Sequence, residues 1–300
     1  MKRRTFIQKS VAGTTAFGIG LSSCVGSPAS HITILHTNDV HSHIDAFPVN
    51  HGSFPGLGGV ARRAALIQSI MAENPNTLVL DAGDIFQGTP YFNFYGGELE
   101  FKLMNRMGYH AATLGNHDFD NGLNGLLAQL PHAEFQFLSS NYDFRNTVLD
   151  GYIQKYTVFE RGGIRIGVFG IGIALEGLVL PELYGETQVT HPYETASEMT
   201  HLLRQNENCQ LVICLSHLGY SYQDPERFSD LNLAAATSGI DLIIGGHTHT
   251  FLDQPTVVKN LNGEEVLISQ VGCFGINLGR VDFFFREETV SNTSGVALGV

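Results

Sequence analysis

The chain has 300 residues, 43% of them hydrophobic, with 34 Gly and 10 Pro, which suits one or two globular domains with a full core and excludes an intrinsically disordered chain. Its formal charge is −12 at pH 7, which sets it against nucleic-acid backbones and excludes polymer binding by charge attraction. A small anion still binds an acidic chain where metal ions supply local positive charge.

Residues 1–23 read as an export signal. Lys2, Arg3 and Arg4 open it, a weakly apolar stretch from Val11 to Leu21 follows, and Leu21-Ser22-Ser23-Cys24 closes it. Arg3-Arg4-Thr5-Phe6-Ile7-Gln8-Lys9 resembles a twin-arginine signal. Leu-Ser-Ser-Cys resembles a bacterial lipobox, with Cys24 as the lipidated mature N-terminus. The apolar stretch is too short and too rich in Gly and Thr to span a membrane. The expected location is therefore the bacterial cell envelope, as a periplasmic or cell-surface lipoprotein held to the membrane by its lipid alone. Removing residues 1–23 takes away Lys2, Arg3, Arg4 and Lys9 and no acid, so the charge moves from −12 to about −16. Residues 24–30 read as a tether, 31–286 as the folded domain, and 287–300 as a tail left unassigned.

Strands and helices then alternate. Ile32 to His36 reads as a strand, Val60 to Ala72 as a helix and Thr77 to Leu80 as a strand. Leu99 to Met107 reads as a helix, Ala111 to Leu114 as a short strand and Gly122 to Leu130 as a helix. Phe135 to Leu138, Tyr152 to Phe159 and Ile164 to Ile171 read as strands. A helix over Thr195 to Arg204, a strand over Leu211 to Leu215 and a helix over Leu231 to Ala236 follow. Strands over Asp241 to Ile244, Val266 to Val271 and Gly279 to Phe285 complete the series. This order predicts a layered α/β fold.

Five of the apolar runs end in metal-competent side chains. They lead into Asn38-Asp39-Val40-His41, Asp81-Ala82-Gly83-Asp84, Gly115-Asn116-His117-Asp118, Ser216-His217-Leu218-Gly219 and Gly245-Gly246-His247-Thr248-His249. In open α/β sheets, ligands bind beyond the carboxyl ends of the strands. Asp39 and His41 are two residues apart, as are His247 and His249. Strand periodicity places each such pair on one side, able to grip one ion together. Carboxylate, imidazole and amide oxygen suit zinc, manganese, iron or cobalt. Seven candidate ligands exceed one tetrahedral site and fit two ions that share a carboxylate. Two ions about 3.5–4 Å apart clamp a phosphate oxygen and bind the attacking hydroxide between them.

These motifs resemble the calcineurin-like metallophosphoesterases, and among them the catalytic domain of the 5′-nucleotidases. The resemblance rests on Ile34 to His41, Gly58 to Arg62, Gly83 to Thr89, Met107-Gly108-Tyr109, Thr113 to Asp120, Leu215 to Gly219 and Asp241 to His249, and it covers about residues 31–286. It implies a four-layer αββα sandwich, with two sheets face to face and helices outside. It implies that one divalent ion takes Asp39, His41, Asp84 and His249. The second takes Asp84, Asn116, His217 and His247. It also makes His117 the catalytic histidine, paired with Asp120, with Asn116 and His117 beside the substrate phosphate. The implied activity is hydrolysis of phosphate monoesters, above all nucleoside 5′-monophosphates. A phosphodiesterase or pyrophosphatase acting on cyclic nucleotides or nucleotide sugars would use the same ions, and a metal-bearing surface module would lack turnover.

Typical 5′-nucleotidases carry a further C-terminal domain that grips the nucleobase, so the expectation is either a separate polypeptide supplying that domain as partner or action on a different or broader set of phosphates. Among the remaining residues, His36 is expected to orient a ligand or the loop, and His43 to be an exposed loop histidine. Phe86, Tyr91, Phe92, Phe94 and Tyr95 are expected in the core. Cys209, Cys214 and Cys273 show no zinc-type spacing and read as free buried thiols.

Overall fold

The computed structural model describes residues 30–300. The expected signal and Cys24 lie outside the described residues. The strands in chain order are β1 (Ser30–Thr37), β2 (Thr77–Asp81), β3 (Ala111–Ala112), β4 (Gln136–Phe137), β5 (Tyr142–Asp143), β6 (Tyr156–Arg161) and β7 (Ile164–Ile171). They continue with β8 (Gln188–Val189), β9 (Leu211–Ser216), β10 (Leu242–Gly245), β11 (Thr256–Lys259), β12 (Glu265–Ser269), β13 (Asn277–Arg286) and β14 (Thr289–Gly299). One six-stranded sheet has the order β14-β13-β1-β2-β3-β4 and the other β11-β12-β10-β9-β7-β6.

The long apolar runs are explained by burial on both faces. In β2, Leu78 and Leu80 point between the sheets, while Val79 points to the outer layer of helices. In β9, Leu211, Ile213 and Leu215 face the other sheet, and Val212 and Cys214 face outward. Each fully buried Leu or Ile contributes roughly 1.5–3 kcal/mol relative to an exposed one. The helices α1 (Val60–Glu73) and α2 (Glu98–Met107) cover the first sheet with Ile67, Ile70, Phe101, Met104 and Met107. Helices over Pro192–His201 and Asp230–Ala236 cover the second with Ala196, Met199, Leu233 and Ala234. This is the expected αββα sandwich.

Several elements differ from the sequence reading. Ser30, assigned to the tether, begins β1 opposite Phe285. Residues 289–299 form β14, which pairs with β13 along its length. Its Ser, Asn, Thr and Gly residues lie on a mostly open edge, so no hydrophobic period marks it. The short, half-exposed edge strand β11 is unmarked for the same reason. The strand expected over Tyr152 to Phe159 starts at Tyr156, because residues before it turn.

Strands β1, β2, β3 and β4 run parallel, as do β7, β9, β10 and β12. The turns after β1, β2, β3, β9 and β10 gather at one edge of the sandwich. No helix among the described residues is long and apolar enough to cross a membrane.

Candidate metal centre

The turns that carry the candidate ligands leave regular structure abruptly. Asp39, His41, Asp84, His247 and His249 all have positive φ, between 49° and 73°. Such backbone costs a non-glycine residue roughly 1–3 kcal/mol and persists only where the surroundings hold it. Here they do. Asp39 N–H donates to Gly83 O at 3.0 Å, His41 N–H to Asp84 O at 3.0 Å, and His247 N–H to Asp39 Oδ1 at 2.9 Å. Gly83 lies at φ 89°, and a Cβ there would stand 2.5 Å from Gly115 N, so no side chain fits.

Two groups of ligand atoms result: Asp39, His41 and His249, and Asp84, His217 and His247. One pair expected from spacing is therefore split. His247 and His249 belong to different groups, because β10 ends at Gly245 and both histidines adopt left-handed backbone, where strand alternation does not apply. Asn116 Oδ1 is 2.8 Å from His247 Nδ1, which brings the amide to the second group. Asp84 Oδ2 lies 3.1 Å from His217 Nε2 and 3.8 Å from His41 Nε2, between the groups.

The donor atoms themselves test whether cations fit. His217 Nδ1 meets Ala82 O at 2.7 Å, so the proton belongs on Nδ1 and the Nε2 lone pair faces the Asp84 carboxylate. That Nε2 is buried and has no hydrogen-bond partner. His41 Nδ1 meets Phe86 O at 3.2 Å, and its Nε2 faces His249 Nε2 at 3.0 Å. Two donors on one zinc-like ion stand roughly 3–3.5 Å apart, given bonds of about 2.0–2.1 Å. Lone pairs facing lone pairs at these distances fit a cation between them. Burial alone would raise Asp84, but the neighbouring His217 reverses this and holds the carboxyl below its usual range. Burial opposes a charge on His217, and without a cation Asp84 overcomes it, pushing the imidazole up to about 10; a bound cation would take the place of that second proton at Nε2.

His117 stands at the open face, its ring 5.3 Å from that of His41 and edge-on to it. Its Nδ1 is 2.9 Å from Asp120 Oδ2, and that hydrogen bond is the main reason its pKa is raised. Its backbone N–H donates to Asp84 Oδ1 at 2.8 Å, which ties this histidine to the carboxylate between the groups.

Other residues depart from expectation. His36 does not orient a ligand. It is fully buried, shares a 2.9 Å hydrogen bond with Ser269 Oγ, and burial pushes it down to about 3. His43 is half-buried, its ring 4.3 Å from Phe274. Phe86 and Phe92 are in the core, but Phe94 and Tyr95 are exposed at 82% and 53%, so the run is not all core. Cys209, Cys214 and Cys273 are free and buried.

Two buried polar residues support the site without having been singled out. Asn38 Nδ2 donates to Asp39 Oδ2 at 2.7 Å and to Gly272 O at 2.6 Å, and its Oδ1 accepts from Val271 N–H at 3.0 Å. Gln270 Nε2 donates to Gly246 O at 2.8 Å, and its Oε1 accepts from Thr250 N–H. They tie the β12 end to the turns carrying Asp39, His247 and His249. Adjacency to a motif is the signal that would have found Asn38; Gln270 has no local signal.

Comparison with known proteins gives a consistent picture. The family model described as calcineurin-like phosphoesterase matches residues 32–251. A snake venom 5′-nucleotidase from Gloydius brevicauda is 35% identical over 310 residues, covering 95% of this chain and 50% of that protein. The solved 5′-nucleotidase precursor from Thermus thermophilus has a TM-score of 0.79 at 35% identity, over 90% of this chain and 55% of that one. The calcineurin-like phosphoesterase YfkN from Bacillus subtilis has a TM-score of 0.73 at 25% identity, over 91% of both chains. The chain spans about half the length of the curated relatives it matches.

Proposed function

Because the chain belongs to the calcineurin-like phosphoesterase family, we propose that it hydrolyses phosphate monoesters, above all nucleoside 5′-monophosphates, with two divalent ions. The observation that carries this reading is the pair of ligand groups with Asp84 between them and the His117–Asp120 pair at their open face. The similarity to proteins named 5′-nucleotidases supports the nucleotide substrate.

Bound there, the ions would neutralise charge on the phosphoryl oxygens and lower the pKa of the attacking water. Asp39, His41, Asp84 and His249 would hold one, and Asp84, Asn116, His217 and His247 the other. The remaining work falls to the chain's own groups. Asp120 holds the His117 ring by Nδ1, which leaves Nε2–H free to give its proton to the departing oxygen. The raised pKa of His117 keeps that proton available nearer neutral pH. Asn116 and His117, on consecutive positions, would contact the phosphate.

Three further readings belong to this proposal. Export and lipid attachment at Cys24 rest on the sequence of residues 1–24. Base recognition is assigned to a further protein segment, joined to this chain or separate from it, on the ground that the relatives extend well beyond the matched half. Co-purification of a second protein that stimulates nucleotide turnover would support it, and full nucleotidase activity of this chain alone would remove the need for it.

The test is hydrolysis by the purified chain with manganese or zinc, with Asp84→Asn as control. The panel holds AMP, an aryl phosphate, an aryl phosphodiester and a cyclic nucleotide. Metal-dependent release from AMP, absent in the control, is the expected result. Preference for the diester or cyclic nucleotide would replace the monoesterase reading. Two bound ions with no turnover on any substrate would mark a binding module.

A further inference from the structure

Asp118 follows the expected catalytic histidine and has no role in the chemistry above. It is 1% exposed, and its hydrogen-bond partners are all peptide N–H groups. Its Oδ1 accepts from Ile85 at 3.0 Å and Phe86 at 3.1 Å. Its Oδ2 accepts from Asp84 at 3.0 Å and Gly115 at 2.8 Å. One carboxylate thus collects three consecutive N–H groups of the loop after β2 and one from the turn after β3.

Those four groups belong to the segments on which both ligand groups depend. The Asp84 backbone is left-handed, at φ 55°, and its side chain lies between the groups. The Asp84 carbonyl accepts from His41 N–H, and the Phe86 carbonyl meets His41 Nδ1. Asp84 Oδ1 accepts from His117 N–H at 2.8 Å. Gly115, directly before Asn116, packs so close that a Cβ there would fall on the Asp84 carboxylate. Three successive N–H groups turned toward one point have no partner among strand or helix carbonyls, so without an anion they would be buried donors left unsatisfied.

We propose that Asp118 is a positioning residue for the metal pair, its carboxylate binding the Asp84 loop to the Gly115 turn so that the two ligand groups keep their relative placement. The proposal rests on the ligand assignment given above and adds a residue that touches neither ion. Groups that orient metal ligands typically cost about 10–100-fold in affinity or activity when replaced.

The experiment uses the full chain and three variants. Asp118→Asn keeps the volume but turns an NH2 group toward peptide donors. Asp118→Ser is smaller and leaves space for water to solvate them. Asn74→Ala is the control, since Asn74 caps the opposite end of β1 through Thr33 Oγ1 at 2.9 Å and His31 O at 3.2 Å. Zinc and manganese binding is titrated calorimetrically on metal-free protein, with metal-free melting followed by circular dichroism.

Both Asp118 variants are expected to bind about 10–100-fold more weakly. Their turnover should recover in part when metal is raised, so that the metal requirement shifts more than kcat. Asn74→Ala should melt earlier with wild-type metal affinity. Wild-type affinity in either folded Asp118 variant, or failure of both to fold, would reduce Asp118 to a structural residue and overturn the proposal. Wild-type protein that binds no ions would sink the ligand assignment along with it.

Discussion

His217 and His249 occupy turns after neighbouring parallel strands, yet His217 is wholly buried and His249 exposes 37% of its side chain. The His217 ring is locked by Ala82 O, whereas the His249 Nε2 faces His41 Nε2 at 3.0 Å and Asp39 Oδ1 at 3.4 Å, with no backbone carbonyl among the described residues to fix its ring. The group of Asp84, His217 and His247 therefore acts as a floor, with its buried His217 ring set by a backbone carbonyl and its His247 ring by the Asn116 amide before any ion arrives. The group of Asp39, His41 and His249 is a rim: its His41 also meets a backbone carbonyl, Phe86 O, but its His249 exposes 37% of its side chain. Preorganised donors lose less freedom on binding, so the floor should hold its ion more tightly and the rim should exchange first.

Asp84 lies between the two groups, and its replacement has the largest expected effect. Asp84→Asn should lower the affinity for both ions and reduce turnover by more than about a hundredfold, since direct ligands matter more than the groups that orient them. Metal content after gel filtration checks this. Retention of the rim ion alone would mean that Asp84 serves only the floor.

The next pair of variants tests depth directly. His217→Asn should empty the floor and leave activity low at any metal concentration. His249→Asn should weaken only the rim, with turnover recovering as metal is raised. Equal losses in both variants, neither recovering, would show that the two groups bind as one unit and that depth does not separate them.

The order of elements was readable because the strands are buried on both faces. Ile32, Ile34, Leu78 and Leu80 on one sheet and Leu211, Ile213 and Ile244 on the other leave unbroken apolar runs, each closed by a Gly- or Asp-bearing turn. The gathering of candidate ligands at one edge follows from parallel strands ending in those turns. The separation of His247 from His249 was implied by the family resemblance but not by their spacing, because it depends on left-handed backbone at two non-glycine residues. The role of Asp118, though it stands in a quoted motif, and the residue Gln270 were not readable either, since both act on peptide groups distant in sequence and residue type alone does not show such partners. The strand over 289–299 lacks any period because its edge is open.

His117 stands above both groups and supplies none of their ligand atoms, so its loss should leave the floor and rim intact. His117→Ala should keep both ions and lower turnover on AMP by about 10²–10⁴-fold, while an aryl phosphate whose phenolate leaves without a proton should lose far less. Loss of either ion would make His117 a metal-holding residue. Equal loss on both substrates would remove its role as proton donor.

The smallest effect concerns a histidine as deep as His217 but without carboxylates. His36 is also fully buried, and its one polar partner is the Ser269 hydroxyl. Burial pushes His36 down to about 3, whereas Asp84 and Asp39 lift His217 to about 10. Depth alone therefore makes a neutral imidazole, and the floor is different because of its charges. The unfolded chain takes up a proton on His36 below about 6.5 and the folded chain does not until about 3. Stability is thus lost as pH falls through that window, at up to about 1.4 kcal/mol per unit. Chemical denaturation in EDTA, which removes metal linkage, should show about 2 kcal/mol less stability at pH 5 than at pH 6.5 from this residue. His36→Gln, which retains a donor for Ser269, should flatten that dependence. An unchanged slope would place the proton uptake on other groups and leave the depth of His36 without effect on acid stability.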